Sequence, residues 1–135
     1  MYRALRTVNW SILAPVLAFF IYGGWAAFVN SEYGTTVWLK AGLGQGCYAL
    51  FSTWIVTLVT QKTFTRVGAD WRGFVLGFVA GFAIMVAIPL FIHNVLGTPD
   101  ILEAIAPGLV WGSFYVMFVL RVTYKQQLAE LNPQV

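Results

Sequence analysis

Charged and titratable side chains are scarce in this sequence, so the few that interrupt its apolar stretches are where chemistry must be sought. Lys40 and Glu103 stand at the same place in two similar phrases, GTTVWLKAGLGQG (34–46) and GTPDILEAIAPGL (97–109). The phrase recurs with the sign of one charge reversed. Brought level with each other, an ammonium and a carboxylate can bind a substrate or an ion. They can also form a structural ion pair, or each can snorkel to the headgroups on its own, since both lie about one helical turn inside an apolar stretch. His93, the single histidine, titrates near neutrality and could relay a proton beside Glu103; bonding to backbone or headgroup at a helix end is the plainer alternative. Asn94 adjoins it, and Gln45 lies deeper. Lys40, Gln45, His93, Asn94 and Glu103 are therefore the candidate substrate- or ion-binding residues, with Glu32 and Asp100 nearby.

Other chemistry is not expected. One histidine and the lone Cys47 give no metal cluster of ordinary ligand spacing. There is no nucleophile with its base and orienting group, no phosphate-binding glycine loop and no pair of catalytic carboxylates. The chain is not expected to be an enzyme or to need a cofactor. Cys47 itself is expected to serve packing.

The elements that must position these residues follow from composition. Apolar types make up 59% of the 135 residues and charged types 10%, against about 25% charged in soluble proteins. That excess must face lipid rather than water. It is carried by four stretches, 10–30, 37–60, 74–97 and 101–123, each close to the ~20 helical residues that cross a bilayer core. Nothing alternates like a barrel strand. The expectation is an all-α, polytopic membrane protein, a single domain over 1–135 with four transmembrane helices. The first stretch is expected to remain in the mature protein, being long for a signal peptide.

Arg3, Arg6, Lys62, Arg66, Arg72, Arg121 and Lys125 fall on one side of such a bundle and only Lys40 on the other. The positive-inside rule then puts both termini in the cytoplasm, with a bacterial inner membrane as the expected location. The middle segment 61–73 is expected to be a polar loop. Because the basic residues are dispersed at helix ends, membrane lipids are the expected partners and nucleic acid is not. Tyr2, Trp10, Trp71 and Tyr124 suit an inner aromatic belt, and Trp25, Tyr33 and Trp38 an outer one. Trp54 and Trp111 fall deeper, where a ring beside small residues could bound a cavity.

Displacing the chain by 63 residues aligns 28–62 with 91–125 without a gap, and ten of the 35 positions are identical. The spans are therefore expected to form two tandem helical hairpins, a parallel pseudo-repeat about an axis along the membrane normal. Close helix contact in lipid relies on small residues. Gly73, Gly77 and Gly81 in the third span, Gly42 in the second and Gly112 in the fourth are the candidate packing positions. They could serve contacts within the chain, a homo-oligomer, or docking on a larger membrane complex.

Finally, Gly23 and Gly24, Gly44 and Gly46, Pro89, and Pro107 with Gly108 lie at a shared depth in the four spans. Proline removes a helical hydrogen bond and glycine permits bending. A layer of helix breaks beneath the clustered polar residues predicts an outward-facing polar vestibule. Transport of a small amphiphile, a lipid-linked compound or an ion is the expected function. The alternative is a non-catalytic accessory or assembly subunit docking through its Gly-rich faces.

Overall fold

The computed structural model describes residues 10–132. Among these, four helices account for nearly the whole chain: α1 (Trp10–Val29), α2 (Thr35–Val67), α3 (Trp71–Leu96) and α4 (Ile101–Leu131), with a short 3-10 turn at Ser31–Tyr33. α2, α3 and α4 are long and apolar enough to cross a membrane, and α1 offers a shorter apolar segment, Leu13–Val29. Large apolar side chains coat the outside, among them Phe20, Phe51, Trp54 and Phe91. Such a surface suits lipid and not water.

Contacts at the glycines give the register. A Cβ on Gly23 would meet Gly42 O, one on Gly46 would meet Phe19, one on Gly77 would meet Leu120, and one on Gly81 would meet Thr60 and Val116. In each sequential pair the numbers rise along one helix as they fall along the next, so neighbours run antiparallel. α2 and α4 touch across the bundle and run parallel, since Gln45 lies against Gly108 and Thr57 bonds Tyr115. α2 contacts all three other helices, whereas α1 and α3 do not touch each other. Val56, Phe64, Met85, Val116 and Leu120 form the buried core. The turns holding Ser31–Tyr33 and Gly97–Asp100 mark one end, termed the outer end here.

The segment 61–73 departs from the expected loop. Gln61–Val67 continues α2, and only Gly68, Ala69 and Asp70 separate it from α3. This stretch has no Gly or Pro to stop a helix, and Phe64, fully buried, stacks edge-on to Phe74 at 5.2 Å. Tertiary packing of that ring outweighs the polarity of its neighbours. α2 ends at Gly68, whose φ of 125° suits glycine. Asp70 then caps α3, its carboxylate accepting from the N–H groups of Arg72 and Gly73 at 3.0 Å.

The expected layer of helix breaks is a second correction. α1, α2, α3 and α4 run unbroken through Gly23, Gly24, Gly44, Gly46, Pro89, Pro107 and Gly108. Most of these glycines meet neighbours instead of bending the backbone. Gly23 faces Gly42 O, Gly44 faces Leu96 and Ile92, and Gly46 faces Phe19; Gly24 alone has nothing within 4 Å of its Cβ position. Pro107 has a different consequence. Lacking an N–H, it leaves the carbonyl of Glu103 without its helical partner, and the Trp25 indole N–H donates to that oxygen at 2.8 Å.

Candidate functional site: a cavity between α1, α2 and α4

Lys40 and Glu103 both lie near the outer end, yet both are exposed, and no hydrogen bond or ion pair joins them among the described residues. The helical turn explains this. Gln45 and Gly108, each five residues further on, face each other. At about 100° per residue, five residues turn a helix by roughly 500°, which leaves Lys40 and Glu103 about 140° away from that contact. Equal depth did not bring equal azimuth. Glu103 acts through its backbone carbonyl, as the acceptor for Trp25. Asn94 is exposed, its amide donating to Leu90 O at 2.7 Å. Glu32 is also exposed.

Gln45 and His93 do meet. Both are buried, and Gln45 Oε1 lies 3.0 Å from His93 Nε2. On the other side of the ring, His93 Nδ1 lies 3.0 Å from the Thr98 hydroxyl. The end of α3 positions that partner. Gly97 adopts the left-handed conformation (φ 68°), and the Thr98 N–H returns to His93 O at 3.0 Å. This is the glycine-terminated helix end that folds the chain back over its last turn.

Below this cluster lies a cavity of about 210 Å³. Ala18 and Tyr22 of α1 border it, as do Gln45, Tyr48, Ser52 and Val56 of α2, Met85 and Pro89 of α3, and Ile105, Gly108, Trp111 and Tyr115 of α4. No charged side chain lines it. Gln45 to Val56 lies about 15–30 Å below Thr35 at 1.5 Å rise per residue. The cavity thus lies well along the length of α2, not at the outer rim.

Its ceiling is sealed by the α1–α4 seam. There Trp25 donates to Glu103 O, and the buried Asn30 accepts from the Asp100 N–H at 3.1 Å while donating to Ala26 O at 2.9 Å. At the outer surface, hydrogen bonding to the Asp100 carboxylate, and then its charge, hold the Tyr33 hydroxyl above its ordinary pKa. Lower down, the cavity lies between Ala18 and Tyr22 of α1 and Ile105, Gly108 and Trp111 of α4. Trp111 borders the cavity and is 65% exposed. Trp54 is exposed as well but does not border the cavity.

Some polar groups of the wall are engaged. The Ser52 hydroxyl donates to Ala49 O at 3.1 Å. Thr57 donates to Thr53 O and meets the Tyr115 hydroxyl, both at 2.6 Å, so Tyr115 is left to donate to Thr57. Two buried groups retain capacity. The Tyr48 hydroxyl is buried without a partner. The amide nitrogen of Gln45 lies 3.7 Å from where a Cβ on Gly108 would stand.

Sequence reasoning missed Asn30, Tyr48 and Thr98. Tyr48 follows Gln45 by three residues and so shares its helix face, a signal that was present. Thr98 and Asn30 are placed by turns, which helical periodicity does not reveal.

No protein-family model, curated protein or solved structure matches this chain.

Proposed function

We propose that the chain is a small integral membrane transport protein, flippase-like, which admits a small uncharged amphiphile sideways from the bilayer. The observation that carries this reading is the cavity between the helices, lined by no charged side chain and bordered by both α1 and α4. Binding sites that enclose a drug-sized ligand run to about 300–1,000 Å³. At about 210 Å³, this one suits one end of a molecule whose remainder stays in lipid. Release toward the outer face would require the Trp25–Glu103 and Asn30–Asp100 bonds to part.

The tandem-hairpin arrangement has support of its own. The identical pairs Ala41/Ala104, Val56/Val119 and Thr60/Thr123 are buried, while Phe28/Phe91, Leu39/Leu102, Phe51/Phe114 and Lys62/Lys125 are exposed. A two-fold relation between α1–α2 and α3–α4 would produce that agreement. It would also make the α1–α4 packing equivalent to that of α2 and α3, yet α4 lies far more loosely against α1. The cavity occupies the place where the symmetry fails. With four spans and the basic residues on one side, the termini belong in the cytoplasm, in a bacterial inner membrane.

The accessory-subunit alternative needs free Gly-rich faces. Gly42, Gly73, Gly77, Gly81 and Gly112 each have own-chain atoms beside the Cβ position, which favours the transport reading over docking through those faces.

Proteoliposomes loaded with an NBD-tagged monoacylglycerol test the reading, with dithionite bleaching to follow movement between leaflets. Wild type is expected to accelerate movement well above protein-free vesicles. Ala18→Phe and Ser52→Phe, which fill the cavity from α1 and from α2, should return the rate to the protein-free value. Equal rates for wild type and empty vesicles would contradict transport of this class.

A further inference from the structure

Of the two buried unspent groups in the cavity wall, the Gln45 amide has its sense fixed by the hydrogen-bond chain above it. Thr98 is buried, and His93 Nδ1 is its hydroxyl's hydrogen-bond partner. A buried hydroxyl left without an acceptor costs about 1–3 kcal/mol, so Thr98 O–H donates to Nδ1. A neutral imidazole that accepts at Nδ1 carries its proton at Nε2. His93 Nε2–H therefore donates to Gln45 Oε1, at 3.0 Å. That leaves the Gln45 amide N–H groups directed to the cavity side, toward Gly108. The reversed amide would place an acceptor there, but would leave the Thr98 hydroxyl with nothing to donate to.

We propose that the cavity holds an uncharged lipid by a carbonyl oxygen, which accepts from the Gln45 side-chain N–H, and that His93 and Thr98 are positioning residues fixing the sense of that amide. The proposal rests on the lateral-uptake reading above and names the ligand chemistry of the same cavity. The wall carries no charge to pair with an ionic head, and an unpaired charge at this depth is costly. A carbonyl is an acceptor without a donor, so it matches a donor that has nothing else to bind. The Tyr48 hydroxyl, buried and unpartnered on the same helix face, supplies a second donor for such a head.

The test uses two probes of similar shape, 4-bromophenyl nonyl ketone and 4-bromo-decylbenzene, in bilayer nanodiscs. Bromine quenches nearby tryptophan, and Trp111 borders the cavity; its signal is the difference between the wild type and Trp111→Phe. The ketone is expected to quench Trp111 saturably, at a concentration roughly 3–10-fold below the hydrocarbon, the equivalent of one net hydrogen bond. Gln45→Leu should erase that preference while leaving hydrocarbon quenching in place. Thr98→Val should reduce it and Thr98→Ser retain it, a pattern that simple loss of packing would not give. Saturation by both probes at equal concentrations would overturn the carbonyl assignment and leave lateral uptake standing. Saturation by neither would overturn both.

Discussion

At the residue scale, the structure transfers roles from side chains that the sequence makes conspicuous to groups that it hides. Glu103 contributes a backbone oxygen because Pro107, four residues on, cannot donate to it; the Trp25 indole fills the gap at 2.8 Å. This gives a double-mutant prediction. Trp25→Phe should destabilise the bundle by about 1 kcal/mol, near the upper part of the range for interhelical hydrogen bonds in membranes. In a Pro107→Ala background the helix supplies its own N–H to Glu103 O, so the same Trp25→Phe change should cost much less. Unfolding measured by steric trapping in bicelles reads both values. Equal costs in the two backgrounds would show that the indole acts only through its bulk. The sequence exposed Gln45 and His93 as candidates because polar residues in apolar helices are few. It could not disclose that Lys40 points elsewhere, since depth follows from counting residues while azimuth follows from which face packs.

At the element scale, adjacent glycines in α1 have opposite duties. Gly23 is buried with Gly42 O 2.7 Å from its Cβ position, and Gly24 is exposed with nothing within 4 Å. Gly23→Ala forces two backbones apart and should destabilise by about 1–3 kcal/mol, the usual cost of overpacking. Gly24→Ala adds no contact and restores helix propensity, so it should be neutral or stabilising by up to about 1 kcal/mol. Thermal unfolding of the two variants in one detergent checks the order; a reversed order would contradict the α1–α2 register. Helix existence was legible from apolar runs, and the three longest helices lie where those runs lie. Their ends were less so. Gln61–Val67 looks like a loop by polarity and is helical because Phe64 packs on Phe74, a contact between residues on different helices. Glycine and proline likewise signalled a special layer, but a helix held on several sides passes through them without breaking.

At the scale of the whole molecule, the bundle is unevenly packed: α2 lies closely on α1 and α3, whereas α4 lies more loosely against α1. Most of the identical pairs match in burial, although Thr35 is exposed and Thr98 buried. The sequence pattern does not disclose the cavity, whose wall includes the small residues Ala49, Gly108 and Gly112. The most direct measurement places a nitroxide at Ser52→Cys in a Cys47→Ala background and compares its collision rates with oxygen, which dissolves in lipid, and with a water-soluble nickel chelate. A cavity open to the bilayer predicts high oxygen and low nickel accessibility at Ser52, although that residue is half-buried within the bundle. Low values for both reagents would mean a closed core, and a high nickel value would mean an aqueous vestibule; either result contradicts the account.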